Sequence, residues 1–217
     1  MNSPNFINTV SISASLIAAG FNYCFCFFDI PILKAQKASR SLPSIRWLFS
    51  RGSHVLPTLA AVATSGFAYL AYLSAPQGKG PLQLLNFADN GIKFNGYLLS
   101  SLLNFAIVPF TMLVMLSNNF KLIKMNEEKG GTRSADSARH RGSKREKVSA
   151  YESISGKGAL NQFTDLSGPQ EKTIEDTTEA EDKEVNQSLD LFQKHNLVRA
   201  VLSTAGGMVG IWTALSV

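Results

Sequence analysis

A few polar side chains in this 217-residue chain stand out because the sequence around them is almost entirely apolar. Asp29 is the first charged side chain, His54 precedes an uncharged stretch, and Arg199 lies early in the last apolar stretch. Imidazole and carboxylate groups can move protons, and guanidinium groups can hold a negative charge as it develops. Function is the default hypothesis for ionisable groups inside a membrane segment. The alternative is that each lies at a helix end and reaches the membrane surface.

Each apolar stretch carries its remaining polar residues on one side if it is helical, with about 100° of rotation per residue. The stripes of the four stretches include Asn22 and Asp29, His54 and Tyr69, Asn104 and Thr111, and Asn196 and Arg199. Two explanations fit: helix packing through small and hydrogen-bonding residues, or the lining of a polar cavity inside a bundle. Because Tyr69 and Phe110 lie in the same sector, such a cavity would suit a planar aromatic molecule.

The charges of the chain are segregated, which indicates a membrane protein and excludes an ordinary soluble enzyme. Residues 117–195 hold 27 of the 37 Lys, Arg, Asp and Glu side chains. Four stretches are uncharged or nearly so over about the 20 residues that a helix needs to cross a bilayer core. We therefore predict an all-α integral membrane protein, a four-helix bundle with helices at about 7–33, 54–75, 94–119 and 195–217.

Basic residues predict the orientation of these helices, because Lys and Arg collect on the cytosolic side of membrane proteins. Residues 34–53 carry five Lys and Arg side chains and no acid, and residues 121–133 carry four more basic side chains. We expect the loops 34–53 and 120–194 to be cytosolic and both termini to be lumenal or extracellular. The polar composition of 120–194 predicts a disordered loop between a membrane core of residues 1–119 and the last helix.

Three motifs in the chain resemble those of the fungal anthrone oxygenases. They are Arg46-Trp47-x3-Arg51-Gly52-x4-Pro57, then Pro109 through Met115 with Asn119 and Leu122, and finally Asn196 through Ala200 with Gly206 through Trp212. Ser117-Asn118 departs from the family pattern, as do Phe192 and His195. The resemblance implies a small integral membrane monooxygenase of aromatic polyketide (secondary metabolite) biosynthesis. Such an enzyme converts an anthrone to an anthraquinone with O2 and no bound cofactor.

The resemblance suggests specific roles for the rare polar residues. The methylene of an anthrone is acidic because its anion is an aromatic enolate, so a base and an anion-stabilising group suffice. We predict His54 as the base, with Asp29 as its orienter or as the base itself. The groups around the anion are predicted to be Arg199, Asn196 and Asn119, and the substrate-binding residues Asn22, Asn104, Thr111, Tyr69 and Phe110.

The sequence also indicates the partners of such a protein. It contains no haem-attachment, nucleotide-binding or metal-binding motif, so we expect O2 as a co-substrate with no metal and no cofactor. The expected partners are a planar aromatic substrate of the anthrone type and the lipid bilayer, with no nucleic acid, and the oligomeric state stays open. The alternative hypothesis is a non-catalytic four-span scaffold or assembly partner for other membrane enzymes, in which the polar stripes are packing seams.

Overall fold

The computed structural model describes residues 3–78, 80, 83–142 and 148–216, and these residues form helices but no strand. Four helical segments are long and apolar enough to cross a membrane: Pro4–Lys34, Ala38–Leu73, Ile92–Glu128 and Glu179–Leu215. The predicted all-α fold with four membrane-length helices is therefore confirmed. The second segment has 36 residues and is about 54 Å long at 1.5 Å per residue, well beyond a bilayer core of about 30 Å.

The helices are numbered in chain order. The first membrane segment contains α1 (Ser3–Cys24), a π-helical turn (Phe25–Asp29) and α2 (Ile30–Lys34). The second is α3 (Ala38–Leu73), which is followed by two short 3-10 turns at Gln83–Leu85 and Phe87–Asp89. The third contains α4 (Ile92–Phe105), α5 (Ile107–Phe110), a π-helical turn (Thr111–Met115) and α6 (Leu116–Glu128). The charged segment holds α7 (Ala135–Arg141) and α8 (Ala150–Ile154), and the last helix is α9 (Glu179–Leu215).

A proline explains the interruption of the third membrane segment. Pro109 has no N–H group to donate to the carbonyl of Phe105, four residues earlier, and its ring crowds that turn. In the structure α4 ends at Phe105 and the helix resumes at Ile107. The break in the helix therefore lies at Ala106, one residue after the carbonyl that loses its donor.

By its internal packing the chain divides into two compact units. The first unit consists of Met1–Tyr23, Val55–Thr111 and Leu197–Val217. The second consists of Cys24–His54 and Met112–Asn196.

In the first unit, α1, α3, α4 and α9 pack around small and aromatic side chains. Ala63 and Phe67 of α3 are fully buried, and the ring of Phe67 stacks on Tyr97 with centroids 6.3 Å apart. Helix α9 comes so close to α3 that a Cβ atom at Gly210 would lie 2.6 Å from the Phe67 ring. The small residues of the last helix therefore permit close packing.

In the second unit, three helices run further than the sequence predicted. Helix α3 begins at Ala38 rather than 54, α9 begins at Glu179 rather than 195, and α6 ends at Glu128 rather than 119. These extensions are amphipathic, with one buried apolar face and one polar face. The buried side chains of the faces include Leu42, Ile45, Leu122, Val185, Leu189 and Phe192. A search for long uncharged stretches misses such helices because their polar faces carry charge.

Aromatic contacts hold the extension of α9 within the second unit. The ring of Phe192 lies 5.1 Å from that of Phe49 and 6.1 Å from that of Phe25, measured between centroids. Three ion pairs join acids of the extension to lysines on other elements: Lys34–Asp190, Lys121–Glu184 and Lys129–Glu181. Exposed pairs of this kind contribute little each, so the aromatic contacts and buried apolar residues carry most of the packing.

The described part of residues 120–194 is folded where the sequence predicts disorder, and a buried arginine accounts for much of the difference. Arg46 is only 3% exposed, and its guanidinium donates to the carbonyl of Ser153 at 3.0 Å and to its hydroxyl at 3.1 Å. That hydroxyl donates to Glu127 at 2.6 Å, and Arg141 donates to the other oxygen of the same carboxylate at 2.7 Å. Paired buried charges of this kind fix a segment whose composition alone offers little apolar surface.

The carboxylate of Asp165 is the second anchor of the charged segment. It accepts hydrogen bonds from the hydroxyls of Ser134, Ser137 and Ser167 and from the backbone N–H of Ser167 at 3.0 Å. Burial, the largest single effect, raises its pKa, but the hydrogen bonds together outweigh it and lower the pKa to about 2. The folded protein therefore stabilises the carboxylate form of Asp165 over the protonated form.

The close approach at Gly210 predicts a difference between two glycine variants. Gly210→Ala should lower the midpoint of thermal unfolding in detergent, because overpacking of a close helix contact costs about 1–3 kcal/mol. Gly20→Ala is the matched control, since a Cβ atom there meets nothing within 4 Å and alanine favours helix. Equal unfolding midpoints for the two variants would contradict the close packing of α9 on α3.

The hydrogen bonds of Asp165 predict a dependence of local stability on pH. Because the folded-state pKa is depressed from 3.8 to about 2, the stabilisation is present above pH 3.8 and is lost as the pH falls through 2. Amide hydrogen exchange of residues 161–167, corrected for the intrinsic rate, should show protection at pH 5 that disappears near pH 2. Asp165→Asn should weaken the protection already at neutral pH, whereas Asp176→Asn, an exposed acid of the same segment, should leave it unchanged.

Candidate functional site

His54, the predicted base, lies on α3 in the second unit with its side chain half-buried. Its imidazole ring packs against the ring of Phe163, with centroids 4.6 Å apart and planes inclined at 42°. Trp47 and Arg51 precede His54 by seven and three residues, so helical periodicity places all three on one face of α3. The contact between His54 and Phe163 therefore lies on this face of α3, together with Trp47 and Arg51.

The same face of α3 binds the turn that carries Phe163. Arg51 donates to the carbonyl of Gln162 at 3.1 Å, to that of Ser167 at 3.3 Å and also to that of Asp165. The indole N–H of Trp47 donates to Ser167 at 2.9 Å, and the Arg51 guanidinium lies 5.5 Å from the centroid of the Trp47 ring. Guanidinium groups have donors for several carbonyls at once, which suits them to hold an irregular turn. The turn is therefore fixed at its backbone.

Asp29 ends the π-helical turn of the first segment, and its side chain is half-buried. Among the described residues it forms no hydrogen bond and no ion pair, so it does not bond to His54. Its proposed role as the orienter of the imidazole therefore has no direct contact behind it in this structure. π-helical turns are frequent at functional sites, and the turn leaves the carboxylate partly accessible.

The amide side chains predicted to surround the anion, Asn196 and Asn119, differ in their hydrogen bonds within the protein. Asn196 is fully buried, and its amide N–H donates to the carbonyl of Phe192 at 2.8 Å. Asn119 is half-buried, and its enclosed Oδ1 accepts no hydrogen bond from the described residues. Its neighbour Asn118 donates to the carbonyl of Ser188 at 3.0 Å. Asn119 therefore has hydrogen-bonding capacity left for a ligand, and Asn118 joins α6 to α9.

A groove of about 370 Å³ lies beside Asn118 in the second unit. Residues of α6 and of the α9 extension line it: Ser117, Asn118, Lys121, Gln187, Ser188 and Leu191. Sequence reasoning noted Ser117 and Asn118 but missed the other four residues, because it assigned residues 120–194 to a disordered loop. The groove is open and mostly polar in its residue types, and it contains two of the positions at which the chain departs from the family motif.

In the first unit, Asn104 is committed to helix packing. Its Oδ1 accepts from the Ser15 hydroxyl at 2.8 Å and its amide N–H donates to the carbonyl of Ser100 at 2.9 Å. The Ser15 hydroxyl also lies 2.7 Å from the carbonyl of Ser203, so one proton is shared between two acceptors. A Cβ atom at Gly206 would lie 2.4 Å from the Asn104 amide. These contacts favour the packing interpretation for this part of the polar stripes.

The other predicted residues of the first unit occupy varied environments. Asn22 is buried and donates to the carbonyl of Ala18 at 2.7 Å, while its enclosed Oδ1 accepts no hydrogen bond from the described residues. Thr111 donates to the carbonyl of Ile107, one turn earlier. Tyr69 is 46% exposed. Phe110, Thr111 and Arg199 are half-buried. Since Asn104 is fully buried and Tyr69 is not, these two do not share one environment.

Two sets of residues near His54 escaped sequence reasoning. Phe163 lies in the segment predicted to be disordered, and no local motif marks it as a neighbour of α3. Arg46 and Arg51 were recognised only as members of a motif, and their long-range acceptors could not be read from spacing. Among the described residues, no group of three or more His, Cys, Asp or Glu side chains could hold a metal ion.

Comparison with known proteins identifies a family for the central part of the chain. The model of the family described as anthrone oxygenase matches residues 46–148. No curated protein and no solved structure matches the chain. The matched stretch contains His54, the third membrane segment and Asn119, and it extends into the charged segment. It supports an oxygenase-related role with an aromatic substrate. The resemblance of this chain to the anthrone oxygenase family, predicted from its helix motifs, is thus confirmed over residues 46–148.

Proposed function

We propose that the protein is a membrane-embedded, cofactor-free monooxygenase that oxidises an anthrone to an anthraquinone with O2 in aromatic polyketide biosynthesis. The single observation that carries the proposal is the family match over residues 46–148. Four membrane-length helices agree with it, because an apolar polycyclic substrate dissolves in the bilayer. The half-buried imidazole of His54 supplies a nitrogen that can accept a proton.

The proposed reaction begins with the transfer of a methylene proton from the anthrone to a base of the protein. His54 is the proposed base, and Asp29 is the alternative base. The resulting enolate is electron-rich and aromatic, so it can give electrons to O2 and form a carbon–oxygen bond. The peroxide anion takes the proton back from the protonated base, and the resulting hydroperoxide loses water and leaves the carbonyl of the quinone. One oxygen atom of O2 enters the product, the other enters water, and the two methylene hydrogens are lost.

The protein's other contribution is to stabilise the developing enolate oxygen. Asn119 supports this proposal best, because its enclosed amide end has no partner among the described residues. A rotation of the amide exchanges its acceptor and its donor, so an N–H can take that position. Asn196 and Arg199 remain the proposed additional donors. A cytosolic placement of residues 34–53 and 120–194 would bring His54 near the aqueous side, where its imidazole can exchange protons with water.

Oxygen-dependent turnover tests the function directly. Membranes that contain the protein should convert emodin anthrone to emodin faster under air than membranes without it, and under nitrogen the difference should vanish. Spontaneous oxidation sets the background, so the measured quantity is the excess initial rate by absorbance of the quinone. No excess rate at any protein concentration would contradict the oxygenase and would favour the non-catalytic scaffold.

Three variants separate the possible bases. His54→Ala should lower kcat by about 10²- to 10⁴-fold if the imidazole takes the proton, since a positioned general base contributes that much. Asp29→Asn should then have a small effect, because the structure shows no hydrogen bond between the two side chains. A large loss only in Asp29→Asn would assign the base to Asp29 instead. His140→Ala, in an exposed imidazole on α7, is the matched control and should keep the wild-type rate.

A further inference from the structure

Phe163 occupies a position that core formation does not explain. Its side chain is 71% exposed, so it gains little from burial, yet its ring lies 4.6 Å from the imidazole of His54. Leu166, three residues further in the same turn, is 88% exposed. Both side chains are exposed, but the Phe163 ring packs against the imidazole of His54.

The turn that carries Phe163 is held more firmly than an exposed loop requires. Arg51 and Trp47 bond to its carbonyl groups from the helix that carries His54. From the other side, Arg133 donates to the Gln162 side chain at 3.1 Å, and the buried carboxylate of Asp165 accepts from three serine hydroxyls. The backbone N–H of Phe163 itself donates to Asn161 at 2.9 Å. The backbone at Phe163 is thus held by hydrogen bonds that do not involve the ring.

We propose that Phe163 is a positioning residue for His54: the anchored turn 161–167 holds its ring against the imidazole, restricts the rotation of the imidazole and shields one face from solvent. The contact between the two rings is the observation that carries this inference. A base that must meet a planar carbon acid benefits from one fixed orientation, because misplacement of a catalytic group lowers the rate steeply. The catalytic consequence rests on the proposed function, whereas the shielding of His54 does not.

Chemical modification tests the shielding without any need for activity. Diethyl pyrocarbonate acylates accessible imidazoles, and peptide mass spectrometry gives the rate at each histidine. The exposed His140 in the same molecule serves as the internal reference. In full-length protein in membranes, Phe163→Ala should raise the ratio of the His54 rate to the His140 rate several-fold. Leu166→Ala, the matched control in the same turn, should leave that ratio at its wild-type value.

Kinetics test the positioning. Phe163→Ala should lower kcat with anthrone by about 2- to 10-fold, the range expected for loss of one aromatic pair, with KM nearly unchanged. Phe163→Tyr should restore both kcat and the low modification rate, because it keeps the ring. Unchanged modification of His54 in Phe163→Ala would overturn the inference even if the wild type is an active oxygenase. Increased modification together with unchanged kcat would overturn the positioning role, and a wild type without activity would overturn the proposed function alone.

Asp165→Asn separates an anchored turn from a loose one. If the bonds around Asp165 hold the turn in place, this variant should also raise the modification ratio of His54, although Phe163 is still present. A ratio equal to that of the wild type would show that the anchors do not fix the ring. Thermal unfolding in detergent, measured in parallel, identifies any variant that has lost its global fold, and Phe163→Leu then replaces Phe163→Ala in the comparison.

Discussion

A buried guanidinium must have its N–H groups satisfied, and the organisation of the second unit follows from this constraint at Arg46. Its donors reach Ser153, Ser153 donates to Glu127, and Glu127 also binds Arg141. Breaking one partner of a buried ionic group costs about 3–5 kcal/mol because an uncompensated charge is left behind. The members of this network therefore stabilise one another, and α3, α6, α7 and α8 are bound into one unit by it. A segment rich in charge can fold here because its charges are the groups that the packing requires.

The four membrane segments could be located from the sequence, but the helical extensions and the folded charged segment could not. Uncharged stretches of the right length follow from the bilayer thickness, so the four membrane segments could be located from composition. The extensions of α3, α6 and α9 carry charge on one face, and only their buried positions, such as Leu42 and Val185, show the helical period. The folding of the charged segment depends on pairs such as Arg46 with Ser153, which are 107 residues apart. Composition cannot reveal a partner at that distance.

At the candidate site, too, the sequence indicates which residues are unusual but not which of them are in contact. The rare polar residues could be located from the sequence: His54 lies at a ring contact with Phe163, and the Asn119 Oδ1 accepts no hydrogen bond from the described residues. What those residues do could not be inferred from the stripes, because a stripe does not distinguish a cavity from a seam. Asn104 and Ser15 bond to each other in a packed core. Asp29 has no bond to the imidazole that it was expected to orient.

Trp47 and Arg51 of the first motif share a helix face with His54 but bind backbone carbonyls of another segment. Trp47 and Arg51 bind the backbone of the turn 161–167, and that turn presents Phe163 to His54. The helical spacing of Trp47, Arg51 and His54 places the anchors and the proposed base on one face of a single rigid helix. The turn is therefore attached to the same helix that carries the imidazole. A spacing that looks like a sequence signature thus has a structural meaning, since Trp47 and Arg51 bind the turn that carries Phe163 to the same helix that carries His54.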